Sequence, residues 1–379
     1  MTATGHDNLD RASRRGASAR IAAELRGRIR GGRMKPGERL PSNTVMQARY
    51  GVTGVTVCRA VRRLVRDGYV ESRHRSGVFV AARPSHLCRF GLAFHSHPGT
   101  GGDWSRMEDV LHAEAVRGIA SLDCEFARYY DVGAGARAAD YQRLAADAAN
   151  ACIGGLLFTT DPWQLWDAPF VRQPDLRKAG IMSAGRRGDM DAVVFHSFYG
   201  PAMEWLAAHG RRRVAAICAS TLSGSRDFVA GIHGQAEQCG LVLPPHWLQF
   251  ADFSHPAAVR PLVRLLLAGP ASGRPQALLV GDDNLTPDVE LVLLELGIRV
   301  PKELEVVAHC NFPPPALQRL PMRRIGYDLR QLLCDVVAQF RNGRRNGHPE
   351  VITVPPLWED EFAERWAGAV HGGPPNGKP

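Results

Sequence analysis

Residues 40–80 read LPSNTVMQARYGVTGVTVCRAVRRLVRDGYVESRHRSGVFV, and this stretch predicts a helix, a tight turn, a second helix and a two-stranded ribbon. Ser42 is suited to cap the first helix, which ends at Gly51, and Thr53 is suited to cap the second. In the second helix the apolar residues recur at helical spacing, and the arginines at positions 59, 62, 63 and 66 fall largely outside that stripe. One face is therefore expected to pack and the other to stay basic.

The predicted ribbon is also basic. Two β-prone runs, residues 69–72 and 78–80, enclose a polar tip at residues 73–77 that contains two arginines, a histidine and a glycine. A basic tip beside a basic helix matches the charge of a DNA backbone and the shape of its groove. The alternative is that the arginines only form a solvated face.

Four motifs carry a resemblance to a known family: PGERLPS at 36–42, YGVTGVTV at 50–57, LVRDGYV at 64–70 and SGVFV at 76–80. In this order and spacing they resemble the winged helix-turn-helix domain of GntR-type transcription regulators. The resemblance covers about residues 21–80 and implies an α+β head that binds double-stranded operator DNA.

The family pattern also indicates where this head departs from its relatives. Asn43 and Thr44 stand where the family usually has Glu-Arg, and Gly54 and Cys58 stand where it usually has arginines. Two arginines that would read DNA are therefore missing from the second helix. The residues predicted to contact DNA, through the resemblance and the basic face, are Ser42, Thr44, Thr53, Gly54, Thr56, Cys58, Arg59, Arg62, Arg73, His74, Arg75 and Gly77.

Length and charge indicate more than one domain. A chain of 379 residues with 45% hydrophobic residues exceeds one ordinary domain and can bury sizeable cores. The net charge of +9 is uneven, because residues 1–84 hold 18 Lys and Arg against 6 Asp and Glu, which leaves −3 for the remainder. This asymmetry favours a polyanionic partner for the N-terminal domain only.

Cysteine spacing and hydropathy give expectations about compartment and cofactors. The eight cysteines show no CxxC pair and no Cys/His spacing typical of zinc, so free thiols in a reducing cytoplasm are expected, with no metal and no cofactor. No apolar run follows the basic N-terminus, so neither a signal peptide nor a membrane span is expected.

From Phe90 onward, strand-like apolar runs alternate with helical stretches, which predicts parallel sheets covered on both faces. About 270 residues of this pattern favour two α/β lobes with a cleft between them. The predicted division of the chain is a disordered basic arm at 1–16, the head at 17–82, a linker at 83–87, the two-lobed domain at 88–358 and a flexible tail at 359–379.

The two-lobed region resembles the periplasmic-binding-protein-like effector domain of LacI-type regulators through residues 202–217, 225–232, 280–311 and 320–328. That resemblance implies three crossings between the lobes, near Gly185, Ile325 and Pro349. Lobe 1 would then hold 88–185 and 326–348, and lobe 2 would hold 186–325 and 349–358. A GntR-type head on such a domain resembles the arabinose-repressor subgroup of GntR regulators.

Ligands of α/β lobes bind at the carboxyl ends of strands, where several polar and aromatic residues follow predicted strands. The candidates are Asp161 and Trp163, then Phe253 as a stacking ring and Asp282 as a polar contact, both by family position. Phe228 replaces the family's ligand-clasping arginine, for which Arg226 is the candidate substitute, and Cys310 replaces an acidic residue. Each candidate also has a structural interpretation as a turn, a helix cap or part of the core.

These features predict a ligand-responsive repressor without enzymatic activity, acting as a homodimer that a small molecule, such as a sugar, releases from a palindromic operator. The alternative is a GntR-headed enzyme that uses pyridoxal phosphate through a Schiff-base lysine. Beyond residue 84 the only lysines are Lys178, Lys302 and Lys378, and none has a suitable phosphate-binding neighbourhood. A secreted solute-binding protein is not expected, because a DNA-binding head is predicted and no signal peptide is.

Overall fold

The computed structural model describes residues 4–99, 104–119, 122–181, 188–222, 225–315, 317–342 and 348–367. The head consists of three helices and an antiparallel ribbon in which Val70 lies opposite Val80. Its buried core joins residues from all these elements, including Leu25, Val57 and Leu64. The elements are α1 (Thr4–Arg30), α2 (Asn43–Tyr50), α3 (Gly54–Arg66), β1 (Val70–Arg73) and β2 (Gly77–Val80).

Two local predictions for the head need correction. Helix α1 already begins at Thr4, so the arm predicted to be disordered is helical from residue 4 onward. The Ser42 hydroxyl accepts a hydrogen bond from the Val45 amide at 3.3 Å, as expected of a cap. Thr53 occupies the cap position of α3 but makes no capping hydrogen bond with its side chain. Its hydroxyl lies 3.2 Å from that of Thr56 instead.

The remainder of the chain alternates between strands and helices and ends in a helix. In chain order its elements are α4 (Ser85–Cys88), β3 (Arg89–Ala93), α5 (Arg106–Arg117), β4 (Glu125–Tyr129), α6 (Ala139–Ala149), β5 (Gly155–Phe158), α7 (Pro169–Arg172), β6 (Arg177–Ile181), β7 (Asp191–Phe195), α8 (Tyr199–Ala208), β8 (Val214–Ala219), α9 (Arg226–Gln238), β9 (Leu248–Ala251), α10 (Val259–Leu266), β10 (Ala277–Val280), α11 (Thr286–Glu295), β11 (Glu305–Phe312), β12 (Arg323–Asp328), α12 (Leu329–Asn342), β13 (Val351–Val354), β14 (Leu357–Trp358) and α13 (Glu359–Trp366).

These strands form two six-stranded sheets, one in each lobe. Lobe 1 has the order β13-β7-β6-β5-β3-β4 with every pairing parallel, and lobe 2 has the order β14-β12-β11-β10-β8-β9 with only β14 antiparallel. Central strands such as β5 and β10 are buried along their whole length. Continuous apolar strands are typical of parallel sheets whose two faces are both covered by helices.

The crossings between the lobes differ from those predicted. The chain crosses at 195–199, 328–329 and 354–357, whereas the prediction placed the crossings near Gly185, Ile325 and Pro349; residue 185 lies outside the described residues. Strands β7 and β13, predicted to lie in lobe 2, pair with each other in lobe 1, with Val351 beside Ala192. Their lobe is decided by this long-range pairing, which leaves no local trace in the sequence.

The predicted flexible tail is partly structured. Helix α13 buries Phe362 and Trp366, and the Phe362 ring stacks on Phe312 of lobe 2 at 5.1 Å. Asp328, at the second crossing, accepts a hydrogen bond from the Trp366 indole nitrogen at 2.9 Å and another from Arg365 at 3.1 Å. The chain from Glu359 to Trp366 is therefore part of the folded lobes.

The predicted linker at 83–87 is short and closely packed. Its α4 turn leads directly into β3, and the Ser85 hydroxyl donates to the Asp67 carbonyl. Tyr69, a core residue of the head, donates through its hydroxyl to the carbonyl of Ala151 in lobe 1 at 2.6 Å. Its ring also stacks on His86 at 5.3 Å. The head is thus docked on lobe 1.

Candidate DNA-binding face and effector cleft

Helix α3 presents the basic face that its sequence pattern predicts. Val57 and Leu64 are buried against α1, whereas Cys58, Arg59 and Arg62 are exposed. Neither arginine forms an ion pair with an acidic side chain in the described part of the chain. Their guanidinium groups are therefore available to a phosphate backbone.

At the start of α3, the exposure and contacts of the side chains differ from the prediction. Thr56 is only 3% exposed and pairs with Thr53, so it supports the turn and does not reach outward. Gly54 lies against the Gln47 side chain, and Gln47 in turn donates to Asn43 at 3.3 Å. The predicted contacts Ser42 and Thr44 are exposed beside this group. The amides of Asn43 and Gln47 were not among the predicted DNA contacts, although Asn43 was noted as a departure from the family.

The wing exposes His74 and Arg75, and Arg75 adopts a left-handed backbone at the turn with φ 58°. Gly77, at φ 116°, approaches the Arg39 side chain. Arg39 forms an isolated β-bridge with Phe79. It lies within the motif at 36–42 but was not among the predicted DNA contacts. Arg73, a predicted DNA contact, has partners within the wing that the sequence did not indicate. Its guanidinium donates to Glu71 at 2.6 Å and lies over the Phe79 ring at 4.4 Å.

The carboxyl ends of the strands in the two lobes lie near a direct contact between the lobes. The Arg106 amide at the start of α5 donates to the Asn284 side chain of lobe 2 at 2.8 Å. The Tyr327 hydroxyl donates to the carbonyl of His196 at the first crossing, at 2.8 Å. Asp282 follows β10 and bonds Asn284, the residue that makes the first of these contacts; its place in a ligand-binding cleft stays a prediction.

Asp282 and Asp283 bind neighbouring backbone and amide groups without capping a helix. Asp282 accepts from the Asn284 amide at 2.9 Å and from its side chain at 2.7 Å. Asp283 accepts from the Asn311 amide at 2.9 Å and from its side chain at 3.0 Å. Helix α11 begins after Leu285 with no side-chain cap, so the interpretation of Asp283 and Asn284 as caps of this helix is wrong. Burial raises the pKa of both carboxyls, and the charge of Asp283 raises that of Asp282 further.

His309 lies beside this carboxylate pair and was missed by sequence reasoning. Its ring stacks on Phe198 at 4.8 Å and lies 5.3 Å from Tyr327. The imidazole is 10% exposed, and neither ring nitrogen has a hydrogen-bond partner among the residues that the structure describes. Burial lowers the pKa of His309 to about 4, so the ring is neutral at physiological pH. A predictive signal was available, since His309 directly follows the strand-like run predicted at 304–308, a position where ligand-binding residues are expected.

The other ligand candidates are dispersed around the cleft. One Asp161 carboxylate oxygen is buried, with no hydrogen-bond partner within the described ranges, in a small cavity that Trp163 and His95 also line. The Trp163 side chain is 63% exposed. Phe253 is half-buried in the turn after β9, and Arg226 is exposed as the first residue of α9.

Phe228 joins the aromatic cluster of lobe 2. The sequence pattern had singled it out only as the residue that stands where the family has an arginine. Its ring lies 5.3 Å from that of Tyr199, which stacks on Phe198 at 4.3 Å. A cavity of about 290 Å³ lies beside it, lined by Ser197, Tyr199, Phe228, Gly231, Ile232 and Gln235. The aromatic surface of the cleft therefore extends from the first crossing to helix α9.

The metal-binding residue types, the lysines and the cysteines bear on the cofactor expectations. No group of three or more His, Cys, Asp or Glu is arranged to hold a metal among the described residues. Lys178 is buried and donates to the Gln173 carbonyl at 2.7 Å, Lys302 is exposed, and Lys378 lies outside the described residues. All eight cysteines are free thiols.

Within the part of the chain that the structure describes, no helix has both the length and the apolar character needed to span a bilayer.

Two family profiles match separate parts of the chain. Residues 17–80 match bacterial regulatory proteins of the gntR family, and residues 203–359 match the periplasmic binding protein-like domain. Among individual proteins, the HTH-type transcriptional repressor PurR of Erwinia tasmaniensis is 26% identical over 315 residues, which is 77% of this chain and 89% of that protein. The mannosyl-D-glycerate transport/metabolism system repressor MngR of Escherichia coli is 42% identical over 60 residues, which is 16% of this chain and 25% of that protein.

Solved structures show the same architecture. A transcriptional regulator CelR–cellobiose complex is 16% identical and has a TM-score of 0.51, with 84% of this chain and 98% of that chain covered. At this identity the similarity establishes the fold alone. The order of domains that the sequence motifs predict, a DNA-binding head followed by a two-lobed α/β domain, is thus confirmed.

Proposed function

We propose that this chain, in which a GntR-type winged helix-turn-helix domain precedes a LacI-like periplasmic-binding-protein-like domain, is a transcription repressor released from its operator by a small molecule bound between the lobes. One observation supports this most directly: the DNA-binding head is docked on lobe 1, and lobe 1 in turn contacts the polar side chain of Asn284 in lobe 2. The relatives are transcription regulators, which agrees with the absence of enzymatic activity expected from the sequence.

The proposed mechanism connects the cleft to the head through lobe 1. A ligand that binds the closed arrangement of the lobes more tightly shifts the population toward closure. Because Tyr69 fixes the head to lobe 1 through Ala151, a rotation of lobe 1 moves the head with it. One wing-and-helix module covers only one half-site, so the proposed active species is a homodimer on a palindromic operator in the cytoplasm.

The proposed effector is a small polar molecule, with carbohydrates as the first class to test. The CelR structure carries cellobiose, and PurR and MngR are named as repressors. In this chain Asp161 and Asp282 supply acceptors for hydroxyl groups, and the rings of Phe228, Phe253 and Trp163 supply apolar planes. Arg226, at the start of α9, supplies an exposed donor.

Binding of the full chain to DNA from its own promoter region is the direct test of this function. We expect tight binding that weakens steeply as salt rises, because phosphate contacts from Arg59, Arg62 and Arg75 release counterions. We also expect a compound that raises the melting temperature of the protein to reduce operator affinity. Fluorescence anisotropy over a salt series, with and without stabilising compounds, measures both effects. Salt-independent binding, or stabilising compounds that leave affinity unchanged, would contradict the proposal.

The replacement Gly54→Arg should change which operator sequences the protein selects. An arginine here restores a group that bonds guanine edges, and its Cβ meets the flexible side-chain amides of Gln47 and Asn43. The natural protein instead presents the amides of Asn43 and Gln47, which favour adenine. Selection from a random DNA pool should show guanine enriched at one half-site position in the variant. Gly16→Arg, outside the recognition helix, is the control, and identical motifs for Gly54→Arg and the natural protein would show that this position does not read bases.

A further inference from the structure

We propose that the effector carries a protonated amine, bound where the lobes meet by the carboxylates of Asp282 and Asp283 and by the surrounding aromatic rings. This inference deepens the proposed function, and it rests on the cleft being the effector site. His309 and its neighbours line the proposed site, and the ligand group is an ammonium carried on a small polar molecule.

The two carboxylates have acceptor capacity to spare. Asp282 binds Asn284 through Oδ1, and Asp283 binds Asn311 through Oδ2, so the second oxygen of each takes no part in these bonds. In the described ranges no Arg or Lys side chain lies within ion-pair distance of either, and the one ion-pair contact is His309 Nδ1 at 3.9 Å from Asp283. Two adjacent buried carboxylates without a cation favour a ligand that brings one.

Unpartnered polar atoms beside the carboxylates are an independent sign of a ligand. Both nitrogens of His309 and the side-chain oxygen of Asn311 are buried, with no hydrogen-bond partner in the described part of the chain. A neutral imidazole offers one donor and one acceptor, and the amide oxygen offers another acceptor. Buried groups of this kind are costly to leave unpaired, so their retention at one place indicates that a ligand satisfies them.

The aromatic rings complete a site for a cation. Phe198 and Tyr327 flank His309, and Tyr199 stacks against Phe198. A ring face attracts an ammonium group through its quadrupole, most strongly where water is excluded. The Tyr199 hydroxyl also approaches Gly281, the residue before Asp282, so rings and carboxylates belong to one cluster.

The same arrangement disfavours an anionic effector. Phe228 places an apolar ring, not a cation, against Tyr199. Arg226, the first residue of α9, is exposed and forms no ion pair with Asp282 or Asp283 in the described ranges. A ligand carboxylate placed near Asp282 would meet like charge in a buried setting, which is strongly unfavourable.

Paired probes that differ in one amino group test the inference on the full chain. D-glucosamine is compared with D-glucose, and putrescine with 1,4-butanediol, by calorimetry and thermal shift at millimolar concentration and constant pH. We expect an amine to bind about tenfold more tightly than its neutral partner, the size of one favourable ion contact in a buried site. Equal binding within each pair, or no binding by either amine, would overturn the inference.

Matched variants locate the ammonium. Asp282→Asn keeps the shape and the bond from Asn284, and we expect it to weaken amine binding about tenfold. Asp252→Asn, in the exposed turn after β9, removes an equal charge and should leave amine binding unchanged. If both variants behave alike, the amine is not bound at Asp282 and the inference fails.

His309→Phe provides a measurement that needs no ligand. Because two unpaired nitrogens disappear between Phe198 and Tyr327, we expect the unliganded protein to melt several degrees higher while amine binding weakens. A lower melting temperature would show that His309 is a structural residue and would remove its role from the inference. Operator affinity separates the two proposals: amine binding that leaves operator affinity unchanged contradicts the repressor function alone, whereas release by the neutral partner of a pair contradicts the ammonium site alone.

Discussion

Asp67→Ala should unfold the DNA-binding head while leaving the lobes folded. Asp67 is 4% exposed, and its Oδ2 bonds the nearly buried Arg26 at 2.7 Å, which ties α1 to the end of α3. Removing the carboxylate leaves a buried guanidinium without its partner, and such losses cost about 3–5 kcal/mol. This approaches the whole stability of a small domain. Urea denaturation should show an early transition for the head, and operator binding should be lost.

Arg66→Ala is the matched control for this prediction. Arg66 pairs with the other oxygen of Asp67 at 2.9 Å, but its own side chain is 69% exposed. An exposed ion pair contributes at most about 1 kcal/mol, so the head should stay folded. If Arg66→Ala and Asp67→Ala destabilise the head equally, the buried contact with Arg26 is not what holds α1 in place.

Trp366→Ala should destabilise the lobes strongly, although this residue lies in the segment that the sequence predicts to be a flexible tail. The Trp366 side chain is buried, its indole nitrogen bonds Asp328 at 2.9 Å, and the Arg330 guanidinium lies 4.7 Å from the ring centre. Truncating a buried tryptophan costs about 3–5 kcal/mol. Thermal and urea unfolding of the full chain measure the loss of stability. The response of operator binding to effectors is measured on the same variant.

Two further substitutions separate packing from hydrogen bonding in α13. Trp366→Phe keeps most of the ring but removes the bond to Asp328, and it should cost about 1–3 kcal/mol because Asp328 is buried. Glu364→Ala, on the exposed side of the same helix, should change stability by less than about 0.5 kcal/mol. A neutral Trp366→Ala would restore the prediction of a flexible tail.

The head was the most predictable part of the molecule because its signals are local. Capping residues, a helical apolar stripe and a glycine-containing ribbon turn lie within residues 40–80, and the resulting helices α2 and α3 begin within a residue or two of their predicted starts. The ion pair between Arg26 and Asp67 joins residues 41 positions apart, so no local pattern indicated it.

The candidate cleft was predictable only in outline. Asp161 was proposed because it lies in the loop after an apolar strand-like run, and Asp282 because of its family position; both stay predictions. His309 lies within strand β11, and its burial between Phe198 and Tyr327 depends on two crossings that bring distant segments together. Its unpartnered nitrogens are a property of that environment and not of the sequence around it.

The sequence by itself determined the order of domains, the winged helix-turn-helix pattern, the basic outer face of α3 and the alternating strands and helices of the lobes, because these follow from short-range periodicity and charge. Only the tertiary structure decided that β7 and β13 belong to lobe 1, that α13 packs beside the second crossing, and that the head is fixed to lobe 1 through Tyr69. These features depend on strand pairing and side-chain burial between segments far apart in the chain, where the free energy of the whole fold selects the partner.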